Sequence, residues 1–447
     1  EAAGQAAIRE DPLLLCVLRS VPARNTALEL VLTALRAALL ADTGDAKDDR
    51  ALAFCCALAT QCFINEYVFA TTPDEETQLE RVKGALGDAL LSGDEIAPIQ
   101  LAVLATYAPL HALAGADALS SHEWPPALDE VVTQQLREPR QELALRSTIA
   151  PLTSIDDAVS LRVQRQYEEN PYPRWVRAAG SIEPVALDTH LRNKFPTAAF
   201  TPLGKIDDVE ILVAGCGTGW QSTAVAQTYQ GARVLAVDLS LASLCYAKRM
   251  TPAALAGRID YLQGDILKLG GIGRSFDLID CAGVLHHMAD PLEGWRVLLT
   301  LLRPGGIMHL GFYSELGRRD VVEARAFIAE RGYASTPAGI RRCRQDLLNT
   351  PLGSVARFSD FFSTSECRDL LFHVQESRMT IPAIKEFIDS HGLKFIGFDL
   401  DDAATQNFGA LFSANGWSMA DLDKWHGIQT QYPDTFSGMY QLWVQKR

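Results

Sequence analysis

Between Val209 and Ser240 the chain reads VEILVAGCGTGWQSTAVAQTYQGARVLAVDLS. Its chemistry-bearing residues are the alternating glycines Gly215, Gly217 and Gly219, with Cys216 among them, and Asp238 followed by Leu239. Glycines let a backbone come within contact distance of a ligand and supply turn dihedrals closed to other residues. A carboxylate 19 residues after Gly219 lies at the distance from which an acid reaches ribose hydroxyls. A glycine turn with a distant acid suits any nucleoside ligand, NAD included.

Such a turn needs a strand before it and a helix after it. Val209 to Ala214 reads as a buried strand, Gln221 to Tyr229 as a helix and Val234 to Val237 as a second strand. Further strands follow at Ile259 to Gln263, Phe276 to Cys281 and Ile307 to Tyr313, with a helix from Pro291 to Leu302. The G-x-G-x-G spacing, rather than G-x-G-x-x-G, resembles the S-adenosylmethionine site of class I methyltransferases, which has no pyrophosphate to cradle. Gly264-Asp265-Ile266 resembles that family's adenine-binding turn, and Gly283-Val284-Leu285-His286-His287 the segment after its fourth strand. The resemblance implies an α/β fold: a Rossmann-like seven-stranded sheet with an antiparallel last strand, here preceded by an all-α domain. It implies S-adenosylmethionine as cofactor and S-adenosylhomocysteine as product. The cofactor-binding residues would be Gly215, Cys216, Gly217, Gly219, Asp238, Leu239, Asp265, Ile266 and Gly283. Asp265 would accept from the adenine amino group.

One position departs from the family. Members often carry an acid two residues before the first glycine to help hold the methionine end, and here that position is Val213. Tyr172, Arg174 or backbone groups of the turn are the candidate replacements. Tyr172, Arg174 and Trp175 sit in Asn170-Pro171-Tyr172-Pro173-Arg174-Trp175, where two prolines force an extended path. The segment reads as a ligand wall or as an aromatic hook between domains.

Leu393 to Leu400 and Met439 to Val444 fit the antiparallel pair that ends the family's sheet, with Thr380 as N-cap of a helix to Ser390. Two insertions, about 314–378 and 401–438, are long enough to be functional or to carry helices of their own, and are expected to roof the site. In the first, an extended Leu371 to Glu376 would aim His373, Gln375 and Glu376 together, so these three join Trp175 and Tyr313 as acceptor-binding candidates. The second holds Phe408, Phe412, Trp417, Trp425, Tyr432 and Phe436, an acceptor pocket or a small core of its own. YEENPYPRW, ILVAGCGTG, LFHVQE and MYQLWVQK together resemble bacterial proteins in which tetratricopeptide repeats precede a class I methyltransferase. No convincing repeat is found in this chain.

Residues 1–150 show apolar positions at helical spacing and read as a bundle: Thr26 to Ala41, Asp48 to Phe69, Asp74 to Leu91, Asp94 to Leu113 with Asp94 as N-cap, and Pro126 to Ile149. Asn65, Glu66 and Tyr67 are polar groups in an apolar helix, facing a ligand, solvent or a second domain. Residues 151–205 form a linking and covering segment, with a helix from Ile155 to Glu169, and 206–447 the methyltransferase domain. The net charge of −14, from 55 acids and 41 bases, argues against nucleic acid as partner. No apolar run spans a bilayer, so neither a membrane nor a signal leader is expected, and the chain reads as cytoplasmic. Nine cysteines without C-x-x-C, including Cys16, Cys55, Cys56, Cys62 and Cys281 in apolar runs, read as buried reduced thiols. No metal is expected.

Methyl transfer from a sulfonium is an in-line displacement that chiefly needs alignment and exclusion of water. A base is needed only for a protonated acceptor, and His287, then His286, are the candidates. The reading is transfer to an acceptor on a peptide or protein, with the helices as docking surface. The alternatives are small-molecule N- or O-methylation, with the helices as lid or homodimer interface, and a non-catalytic cofactor-binding regulator.

Overall fold

The computed structural model describes residues 8, 10–42, 49–177, 180 and 183–447. The chain divides into two compact units. One comprises Glu1–Ala144, Arg174–Arg177 and Glu323–Phe372, the other Leu145–Pro173, Ala178–Val322 and His373–Arg447. Most of the first expected insertion therefore groups with the N-terminal helices, a division the sequence boundaries do not contain.

The second unit holds a seven-stranded sheet in the order β3-β2-β1-β4-β5-β7-β6. Its strands are β1 (Val209–Ala214), β2 (Ala232–Asp238), β3 (Ile259–Gln263), β4 (Phe276–Cys281), β5 (Leu302–Phe312), β6 (Leu393–Phe398) and β7 (Tyr440–Lys446). β1 to β5 run parallel and β7 lies antiparallel between β5 and β6. VEILVA and FDLIDC are almost wholly buried, as expected of parallel strands covered on both faces. β5 starts earlier than expected: Leu302 pairs with Phe276, the register breaks over Arg303 to Gly306, and Ile307 resumes against Leu278. One face packs Leu212, Ile279 and Met308 with Trp295 and Phe387, whose rings stack at 4.0 Å. The other packs Ile211, Val213 and Val234 against Val225, Leu244 and Leu191.

The second insertion forms helices Asp402–Ala414 and Leu422–Gln431. Phe412, Trp425 and Phe436 join the sheet's own core while Tyr432 is exposed, which decides for core over acceptor pocket. Thr380 caps helix Ile381–Ser390, its side chain accepting from the Ala383 N–H. Residues 151–153, at the start of the expected linking segment, run along the edge of β3, with Leu152 N–H donating to Gln263 O at 2.7 Å.

The first unit has its own core around Phe54, Leu58, Leu101, Leu104 and Val131. Helices Thr26–Ala41, Asp49–Ile64 and Pro73–Ser92 match the periodicity. Asp94 is not an N-cap: the next helix is Pro98–Ala105, opened by Pro98 after Ala97. The expected Pro126 to Ile149 helix is broken into Pro126–Val132, a π turn over Thr133–Arg137, Glu138–Leu145 and a final 3-10 turn. Within the π turn buried Gln135 donates to the carbonyls of Ala59 and Ala105, both at 3.1 Å. The nine cysteines are all free, and Cys16 is exposed rather than buried, because the seven-residue helix Pro12–Leu18 buries only Leu18. No helix of the described residues is long and apolar enough to cross a membrane.

Candidate active site

β1 delivers the glycine turn to the C-terminal edge of the sheet. Gly215, Gly217 and Gly219 have φ of 78°, 51° and 84°, the left-handed region that favours glycine. A Cβ on Gly217 would stand 2.6 Å from the Tyr172 carbonyl oxygen. Tyr172 and Pro173 thus lie directly on the turn, where Thr218 also donates its hydroxyl proton to the Pro173 carbonyl. Gly215 and Cys216 N–H groups donate to Val237 O at 2.8 and 3.0 Å, and burial pushes the Cys216 thiol well above its ordinary range. At the end of β2, Asp238 accepts from Gly217 N–H through Oδ2 and from Ser240 N–H through Oδ1, both at 2.8 Å. Burial raises its carboxyl to about 6, nearby Glu168 adds to this, and the backbone donors oppose it. The carbonyl of Leu239 accepts from Gln164 and Gln263.

Asp265, after β3, caps the 3-10 turn Ile266–Gly271. Its Oδ1 accepts from Leu267 N–H at 3.0 Å and its own N–H donates to Thr153 Oγ at 2.8 Å. Its Oδ2 is buried without a hydrogen-bond partner among the described residues. Ile266 packs into the core beneath. A carboxylate at β2 with room to accept further O–H groups and an orphaned acceptor at β3 fit the ribose diol and the exocyclic amine of adenosine. S-adenosylmethionine bound there supplies an electrophilic methyl on a sulfonium.

Beyond β4, Gly283 (φ 79°) leads into the 3-10 turn Leu285–His287. His287 Nδ1 lies 3.0 Å from Gln375 O; a carbonyl only accepts, so Nδ1 carries the proton. His373 Nδ1 accepts from Gln375 N–H at 3.0 Å, which puts the proton of its neutral form on Nε2, 3.2 Å from Tyr167 Oη. The two imidazoles stack at 3.6 Å. His286 is fully buried and stacks on Tyr313 at 3.7 Å. Burial, reinforced by His287, Arg318 and His373, holds it well below the ordinary imidazole range and so neutral.

The glycine turn, Asp238, Asp265, Tyr172, the two histidines, Tyr313, His373 and Gln375 all belong to the second unit. Three candidates stand differently from expectation. Arg174 belongs to the first unit, where its guanidinium pairs with Glu66 at 3.2 Å and lies over Phe63. Trp175, in the same unit, is buried. Glu376 does not share an extended strand with His373 and Gln375. It makes a buried ion pair with Arg318 at 2.7 Å, the guanidinium of which stacks on Tyr313 at 3.6 Å. Asn65, Glu66 and Tyr67 form an internal latch of the first unit, with Glu66 Oε2 accepting from Ser365 N–H at 2.6 Å and Asn65 O from Thr364 N–H at 3.1 Å.

Sequence reasoning missed Tyr167, which contacts Tyr172, His287 and His373. It also missed Asp280 on β4, whose Oδ2 accepts from Gln221 Nε2 at 2.8 Å and from His309 Nδ1 at 3.0 Å. Burial works to lower the His309 imidazole, but the Asp280 carboxylate prevails and raises it. The second of two acids in FDLIDC, in the middle of an apolar stretch, was the available signal for Asp280.

Residues 212–310 match the family model described as a methyltransferase domain. Residues 212–310 form a methyltransferase domain. This match bears out the methyltransferase part of the resemblance and its cofactor. An uncharacterised protein of Synechococcus is 28% identical over 267 residues, 57% of this chain and 63% of that one. A ubiquinone biosynthesis O-methyltransferase of Coxiella burnetii is 32% identical over 144 residues, 32% of this chain and 57% of that one. The chain spans less than two thirds of the length of these curated relatives. Among solved structures, PKMT2 from Rickettsia typhi in complex with AdoHcy is 18% identical at a TM-score of 0.46, covering 62% of this chain and 55% of that one.

Proposed function

We propose that the chain transfers the methyl group of S-adenosylmethionine to an acceptor on a peptide or protein. The observation that carries methyl transfer is the pair of carboxylates at the sheet edge, Asp238 on the glycine turn and Asp265 with an orphaned buried oxygen. Tyr167, His287, Tyr313 and His373 are the acceptor-facing residues in this reading, and His287 is its base for a protonated acceptor. The peptide reading rests on the helical unit, which has a separate core and carries exposed Leu13, Leu30 and Leu91, suited to holding a large acceptor. The relatives named ubiquinone biosynthesis O-methyltransferases favour a second reading, a small hydroxylated acceptor. Incubating a native lysate with the enzyme and methyl-labelled cofactor decides between them. Labelled polypeptides are expected, and label confined to small molecules removes the peptide reading.

A further inference from the structure

The strand order fixes where each part of the cofactor must lie. With adenine at Asp265 after β3 and ribose at Asp238 after β2, the order β3-β2-β1-β4 carries the methionyl end over β1 and β4. That end bears an ammonium group. On β1 the residue two before the first glycine is Val213, which offers it nothing. In register beside it on β4 stands Asp280, and in-register neighbours on parallel strands project from the same face of a sheet.

Asp280 is 2% exposed. Its Oδ2 is occupied by Gln221 and His309, and Gln221 opens the helix Trp220–Thr228 that leaves the glycine turn. Its Oδ1 is buried without a hydrogen-bond partner among the described residues. A carboxylate oxygen left so is unfavourable unless a cation or donor satisfies it when the site is filled. From this geometry we infer that Asp280, in register beside Val213, receives the ammonium group of S-adenosylmethionine. Gln221 and His309 then act as positioning residues that fix its second oxygen.

The inference rests on S-adenosylmethionine occupying this edge, so the test measures binding and compares ligands. Asp280→Asn is expected to weaken S-adenosylhomocysteine about ten- to a hundredfold, the range for losing a charge-assisted hydrogen bond. The same variant should bind 5′-methylthioadenosine, which has the nucleoside but no amino-acid end, as the parent does. Equal losses for both ligands, or none for S-adenosylhomocysteine, overturn the inference. Should the variant not fold, the parent protein answers alone. An S-adenosylhomocysteine analogue without its amino group should bind it at least about tenfold more weakly, and equal affinity overturns the inference. Failure of the parent to bind either nucleoside instead refutes the cofactor assignment itself.

Discussion

The Asp238 carboxylate holds the Gly217 N–H at 2.8 Å, so the acid that closes β2 also shapes the turn that closes β1. Under the proposed ribose assignment, cofactor contact and backbone conformation are coupled through one side chain.

That coupling predicts a pH dependence. Asp238 has its carboxyl raised to about 6, so folding favours its protonated form. Its contribution to stability is fully present below the ordinary value of 3.8 and is lost as pH rises through about 6. Under the proposed assignment cofactor binding has the opposite sign, because ribose hydroxyls would donate to the carboxylate. Affinity for S-adenosylhomocysteine should fall by up to about tenfold per pH unit below about 6. Calorimetry between about pH 8 and about pH 5 checks this, and Asp238→Asn should bind weakly with a flat profile.

Gly217→Ala should damage the site without touching a polar group. Its φ of 51° and a Cβ 2.6 Å from the Tyr172 carbonyl together imply strain of about 1–3 kcal/mol. Cofactor affinity should drop by roughly the same free energy, about five- to 150-fold. A lowered melting temperature with parental affinity would contradict this placement of Tyr172.

His287 and His286 should separate kinetically. If His287 removes an acceptor proton, His287→Gln should lower turnover by about a hundredfold to ten-thousandfold while leaving cofactor affinity near parental. His286, held neutral by burial, should contribute no ionisation to the rate profile around neutral pH. Single-turnover rates with the acceptor found in the labelling experiment provide the measurement.

In the first unit, Arg344 makes a buried bidentate pair with Glu29, its two terminal nitrogens at 3.0 and 2.8 Å, and donates through Nε to Phe361 O at 2.7 Å. Removing one member strands the other in the interior. Arg344→Ala should destabilise this unit by about 3–5 kcal/mol, read by denaturant unfolding. Replacing both by apolar residues of similar volume should recover much of the loss.

Strands β1 and β4 were legible because parallel strands buried on both faces are nearly continuous apolar runs, the G-x-G-x-G turn punctuates the first of them, and the antiparallel pair at the end followed from the family resemblance. Thr380 as N-cap was legible for the same local reason, a hydroxyl ahead of a proline-opened helix. What escaped was set by distant partners. Asp280 reads as one of two acids in its strand, and only register places it beside Val213. Arg174 sits seven residues after Tyr167 in sequence, yet its partner is Glu66. The π turn around Gln135 follows from carbonyls on two other segments, which no periodicity within Pro126 to Ile149 encodes.

The Arg344–Glu29 pair spans 315 residues of chain. During synthesis the N-terminal helices leave the ribosome first, yet the unit they belong to is not whole until Phe372 has followed. The sheet strands β1 to β5 are made in that interval, with the helices still waiting for their last segment. A nascent chain halted just after β5 would therefore present an incomplete first unit, with Glu29 lacking its cation, and would be open to protease or chaperone at the helical end.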